Sequence, residues 1–249
     1  MARILAPEPR AAPGSPVLSI VMPCYNEAGN IDGAIRDAIE HVLAEVPDTE
    51  LIVVDDGSRD ATAAIVEQWT RREPRVRLLM QANAGHGPAL VNGIRASRGA
   101  HCLLLDSDRQ IGLQHFGQTW RLARDHDAVL GVRQRRADPH HRLLLSAALR
   151  SWIALAFRVR SSDPNVPYKL VRRSTLLDAL AAMPERPLIP SILLTIYLGR
   201  RRLRIAEQTV PHFARSAGET TLRLRRLASF CVRAFGELMR FHRALGRVS

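Results

Sequence analysis

From residue 17 to residue 133 the chain alternates between two hydrophobic periods, and few architectures accept that alternation. Short apolar runs at 17–22, 51–54, 76–80, 102–105 and 128–132 have the length and composition of buried strands. Between them, residues 31–46 place Ile31, Ala34, Ile35, Ala38, Ile39, Val42, Leu43 and Val46 at helical spacing. Further helical stretches follow at 60–72 behind Asp60 as N-cap, at 88–97 and at 113–125. Strands bounded by helices on both sides demand crossover connections, so the sequence predicts an α/β fold. Its sheet is mostly parallel, with helices on both faces. A Pro- and Ala-rich stretch at 1–16 reads as a loose tail, and 17–219 as one domain followed by a helix within 220–249.

In such sheets ligands sit beyond the carboxyl ends of the strands. The polar clusters of this sequence fall there: 24–27, 55–58, 83–87, 106–110 and 133–136. Asp106 and Asp108 follow the fourth run and flank a single residue, so in an extended segment both carboxylates point the same way. Such a pair is either a solvated turn or a cation site. Two like charges held together repel unless a cation lies between them, and hard oxygen ligands suit Mg²⁺ or Mn²⁺ with substrate phosphates completing the shell. Asp55 and Asp56 close the second run, where a carboxylate can accept hydrogen bonds from a ribose or a base. The first run lacks the glycine fingerprint of a dinucleotide fold and offers Tyr25, Asn26 and Glu27 instead, an aromatic face with polar neighbours.

Three segments together carry a resemblance. Pro23-Cys24-Tyr25-Asn26-Glu27, Val53 to Ser58 with Asp60 and Thr62, and Leu105-Asp106-Ser107-Asp108 with Gln110 resemble the signature segments of family 2 glycosyltransferases. The resemblance implies the GT-A fold, a nucleotide-binding α/β sheet with an Asp-x-Asp metal site. Gly131-Val132-Arg133, the stretch from Asp163 to Lys169, and Val210 to His212 with Arg215, Gly218 and Thr220 resemble the polyprenyl-phosphate branch, which includes the dolichyl-phosphate mannosyltransferases. By this resemblance Pro23, Tyr25, Glu27, Asp55 and Asp56 hold a GDP- or UDP-sugar, and Gly85 and Lys169 are further candidates for that site. Asp106, Asp108 and Gln110 surround Mg²⁺ or Mn²⁺, Arg133 faces the donor phosphates, and Arg215 and Thr220 meet an acceptor phosphate. The implied reaction is inverting transfer of the sugar to a polyprenyl phosphate, with a hydroxyl acceptor on a glycan or small molecule as the alternative. A hydroxyl needs a general base, and Asp163 is the candidate; it is equally a turn residue before Pro164. The chain departs from the branch at Val166-Pro167, at Lys169 in place of arginine, and at Arg109 in a usually hydrophobic position.

Charge adds a partner. The net charge is +12, yet from residue 200 onward twelve arginines face only Glu207, Glu219 and Glu237, so most of the excess lies at one end. Lys169 is the single lysine of the chain; the remaining cations are arginine, a codon-level bias that argues for no specific nucleic acid. A lone lysine marks either a phosphate contact or a chance survivor. Residues 220–245 place apolar side chains at helical spacing, with Arg226, Arg233, Arg240 and Arg247 seven apart. That is either a helix packed on the domain with a solvated charged face or one lying on an anionic membrane surface. Residues 143–157 are a second candidate for the lipid side. Without a predicted span or signal segment, the expectation is a cytoplasmic protein at the inner face of the cell membrane, with room for an integral-membrane partner. Cys24, Cys102 and Cys231 have no metal-ligand spacing and read as buried, reduced thiols.

Overall fold

The computed structural model describes residues 16–134, 140–213 and 224–245. Arg215 and Thr220, and the stretch 1–15, lie outside the described residues. The first half follows the predicted alternation: β1 (Leu18–Cys24), α1 (Ile31–Ala38), β2 (Thr49–Asp55), α2 (Thr62–Arg72), β3 (Val76–Met80), α3 (His86–Ala96), β4 (His101–Leu104), α4 (Phe116–Leu122) and β5 (Ala128–Arg133). The second half adds α5 (His140–Phe157), β6 (Lys169–Arg172), α6 (Arg173–Ala182), α7 (Pro190–Arg200), β7 (Ile205–Val210) and α8 (Leu224–Leu245).

The strands form one sheet in the order β3-β2-β1-β4-β6-β5-β7. β6 runs antiparallel to both β4 and β5, and the other ladders are parallel. The strands read as continuous apolar runs because both faces are covered: β1 and β2 are buried along their whole length. One face packs under α1, α2 and α4 through Ile35, Val66 and Phe116. The other packs under α3 and α5 to α8, through Ile94, Ile153, Leu193 and Phe241 among others.

Two boundaries differ from expectation for physical reasons. β1 passes through Pro23 to Cys24, because its β4 pairing stops at Val21 and Pro23 lies where the strand is paired to β2 alone. The stretch after Ala38 widens into a π-helical turn (Ile39–Leu43), which buries Val42 and Leu43 side by side. Asp60 does receive the first-turn amide of α2, that of Thr62 at 3.0 Å, one position ahead of the helix cap at Ala61.

Candidate active site

The carboxyl ends of β1, β2 and β4 open on a cleft of about 360 Å³ lined by Pro23, Tyr25, Glu27, Asp56, Asp106 and Asp108, among others. Tyr25 is 41% exposed and presents its ring to this cleft. Its loop is tied to the β2–α2 turn: the Asn26 amide donates to Ser58 Oγ at 2.9 Å, and the Arg59 amide to Asn26 Oδ1 at 2.8 Å. Asn26 itself holds a φ of 52°, a conformation asparagine tolerates better than most residues. The Glu27 carboxylate accepts the Asn30 side-chain amide at 2.6 Å.

The two carboxylates after β2 have different surroundings. Asp56 lines the cleft, yet its oxygens accept from Gln81 Nε2 at 2.7 Å and from the Ala84 and Gly85 amides at 2.8 Å each. It therefore shapes the loop into α3, where Gly85 takes a φ of 97° that only glycine adopts without strain. Asp55 is buried and accepts the Ser58 amide and hydroxyl; it stands behind the cleft wall.

Asp106 and Asp108 both reach the cleft. Burial pushes the Asp106 carboxyl above its ordinary range; His86 opposes the shift and the Asp108 charge adds to it. Asp108 Oδ1 accepts the Gln110 amide at 3.0 Å, which fixes the tight turn through Arg109 at φ 58°. Gln110 turns its side chain to the Phe213 carbonyl at 3.4 Å, outside both cleft linings. Among the described residues no third acidic, His or Cys ligand closes a cage around this pair. The donor set fits a hard cation of the Mg²⁺ or Mn²⁺ kind, which takes one or two carboxylates and leaves positions for phosphate oxygens.

A second cleft of about 370 Å³ lies on the other side of Asp106. Its walls are mostly apolar, with Leu90, Leu149, Ile189, Pro190, Ile192 and Phe230 coming from α3, α5, α7 and α8. His86 and Asp106 line both clefts, with His86 Nε2 3.9 Å from Asp106 Oδ1. Sequence reasoning singled out Gly85 and passed over His86, since one histidine at a helix start makes no pattern.

Three expected residues cluster behind this boundary. Arg133 Nε and Nη2 hold the Asp163 carboxylate at 2.7 and 2.8 Å, a bidentate pair outside both linings. Lys169 lines the second cleft but is 1% exposed, and its Nζ donates to Pro164 O at 3.3 Å, Val166 O at 2.5 Å and Ser191 Oγ at 2.6 Å. All three ammonium hydrogens thus have protein acceptors, and the lysine clamps the 163–168 loop to the start of α7. Burial pulls its pKa from 10.5 down to about 7, against the attraction of Asp163.

A doubly covered, mostly parallel sheet with an aromatic and acidic cleft at a two-carboxylate corner defines a nucleotide-binding α/β protein of the group-transfer type. The narrower assignment comes from comparison. The model of glycosyl transferase family 2 matches residues 19–177, and the chain belongs to that family. An undecaprenyl-phosphate 4-deoxy-4-formamido-L-arabinose transferase of Pseudomonas fluorescens is 29% identical over 206 residues, covering 82% of this chain and 59% of that protein. The chain thus spans about three fifths of that relative's length. A mannosyltransferase from Pyrobaculum calidifontis, solved with GDP-Man and Mn²⁺, superposes with a TM-score of 0.66 at 19% identity, over 99% of this chain and 72% of that one. A glucosyl-3-phosphoglycerate synthase from Mycobacterium tuberculosis, solved with Mn²⁺, UDP and glucosyl-3-phosphoglycerate, gives a TM-score of 0.62 at 20% identity, over 91% and 80%. At such identities these structures share the fold.

Proposed function

We propose that the protein moves a sugar from a nucleoside diphosphate sugar in the first cleft to an acceptor in the second. The observation that carries this reading is the position of Asp106 and His86 on the shared wall of the two clefts. A donor with its base against Tyr25 and its diphosphate at Asp106 and Asp108 places the sugar at that wall. An acceptor oxygen arriving from the second cleft then approaches the anomeric carbon from the side opposite the leaving group, and inversion follows. Asp106 and Asp108 would hold a divalent cation, which would supply charge neutralisation for the diphosphate leaving group. Arg133, locked by Asp163, adds fixed positive charge behind the pair. Asp56 keeps the loop before α3 in place, so His86 meets the sugar without reorganisation.

Two acceptors fit this scheme. A hydroxyl acceptor is supported by the solved neighbour that carries glucosyl-3-phosphoglycerate. A polyprenyl phosphate, already anionic and in need of no general base, is supported by the apolar walls and by the name of the Pseudomonas relative. For the second, the lipid surface itself is a partner: Val232 at 73% and Phe235 at 53% exposure on α8, and Leu155 at 84% on α5, surround the α5–α8 contact between Trp152 and Phe235. None of the described helices is long and apolar enough to cross a membrane.

Thermal stabilisation by UDP- and GDP-sugars with Mn²⁺ identifies the donor. Transfer is then assayed to undecaprenyl phosphate in anionic vesicles and to soluble hydroxyl acceptors. Asp108→Ala is expected to abolish Mn²⁺-dependent transfer and donor hydrolysis. Undiminished activity in that variant refutes the metal assignment.

A further inference from the structure

One charged side chain ties α8 to the wall of the second cleft. Glu237 is 4% exposed, and its carboxylate accepts the Leu188 amide at 2.9 and 3.0 Å and the Ile189 amide at 3.4 Å. Those amides lie just ahead of α7, which starts at Pro190. The site is favourable for an anion, because helix-start amides point outward and the helix dipole is positive there. Among the described residues no cation pairs with Glu237.

A buried carboxylate without a cation is costly unless hydrogen bonds replace its water. A helix that needed only anchoring would place a leucine here, as α8 does at Leu238 and Leu245. The bonds Glu237 makes also have a definite address. Leu188 and Ile189 line the second cleft together with Phe230, which precedes Glu237 by two helical turns on the same side of α8. One face of α8 therefore lines the cleft with Phe230 and holds two further lining residues, Leu188 and Ile189, with Glu237. Ser191, three residues on, is held from the other side by Lys169.

We propose that Glu237 is the positioning residue of this cleft. Its carboxylate sets the 188–192 wall against Phe230, so that the cleft takes an amphiphilic acceptor only while α8 is latched. The proposal rests on the reading of this cleft as the acceptor side.

The test uses the full chain, with Glu237→Ala and Glu237→Gln beside the wild type. Hydrogen exchange over 186–192 reads the latch, dodecyl phosphate binding reads the cleft, and binding of UDP or GDP with Mn²⁺ reads the donor side. In Glu237→Ala the Leu188 and Ile189 amides are expected to exchange at least tenfold faster. Its dodecyl phosphate Kd rises at least tenfold, while its nucleotide Kd stays within twofold. Glu237→Gln keeps one acceptor oxygen and falls between, a partial rescue that also carries the test if the alanine variant does not fold. Unchanged exchange overturns the latch, as does equal loss of nucleotide and dodecyl phosphate binding. A wild type that binds nucleotide but not dodecyl phosphate overturns the acceptor role, and one that binds neither nucleotide refutes the transferase reading instead.

Discussion

Lys169 makes the stability of this protein depend on pH in the same direction as the usual acid loss of carboxylate pairs, but in a neutral to alkaline window where carboxylates do not titrate. Its ammonium is pulled from 10.5 to about 7 by burial, so between those values the unfolded chain binds a proton that the folded chain does not. Stability then rises with pH across that window; the cost of burying the charge is fully present below about pH 7 and is relieved progressively toward 10.5. At about 1.4 kcal/mol per pH unit, the wild type should gain about 2 to 3 kcal/mol between pH 6 and pH 9 from this one group. Lys169→Met removes the titration and three hydrogen bonds, while the Val166 and Pro164 carbonyls keep the Ser191 and Thr195 hydroxyls as donors, for a pH-independent loss of about 1 to 3 kcal/mol. The two effects separate in urea unfolding at pH 6, 7.5 and 9. The variant should come closest to the wild type at pH 6 and fall furthest behind at pH 9. Parallel curves for the two proteins over this range would refute the argument, since they would mean that the buried amine keeps its proton throughout.

Other consequences are as direct. Both ring nitrogens of His101 are buried without a hydrogen-bond partner, and the ring meets Trp120 edge-on. His101→Phe keeps that contact and should raise stability by about 1 kcal/mol in urea titrations. Burial lowers the His101 pKa below 6.5, so stability is lost as pH falls through 6.5 and the advantage of the variant should widen at pH 5. A Cβ at Gly87 would come within 1.7 Å of the Pro187 carbonyl oxygen, so Gly87→Ala should shift α3 and the residue beside it, His86. A loss of about 1 to 3 kcal/mol by urea midpoint is expected. Val232→Ser should weaken flotation with anionic vesicles at low salt while leaving the melting temperature within a degree or two, because its side chain is 73% exposed.

The donor half of the molecule was legible because each of its strands ends in a polar cluster, and those clusters meet on one rim. The acidic pair was ambiguous by itself; the structure puts it on one cleft with Tyr25 and Glu27, which supports the cation reading. The acceptor half was harder to read. β6 opens with a buried lysine, against every strand preference, and α7 is apolar all round, from Ile192 to Leu198, so neither shows a period. The amphipathic pattern of α8 was correct as far as it went. It did not say that Glu237, counted as one of three acids in a basic tail, is buried beside Leu238 on that helix, or that Val232, Phe235 and Cys231 would be left outside.

The place of β6 in the sheet has a wider consequence. Strands β1, β2 and β4 end at the first cleft, which we propose holds the donor, while β6 leads into the lining of the second, the proposed acceptor side; the two parts of the sheet join along the single ladder between β4 and β6. That ladder is a seam. On the proposed reading, sequence drift in residues beyond it can remodel the acceptor side while the nucleotide side stays intact. A hybrid joined between β4 and β6, donor half from one relative and acceptor half from another, is accordingly the natural unit of exchange in a protein built this way.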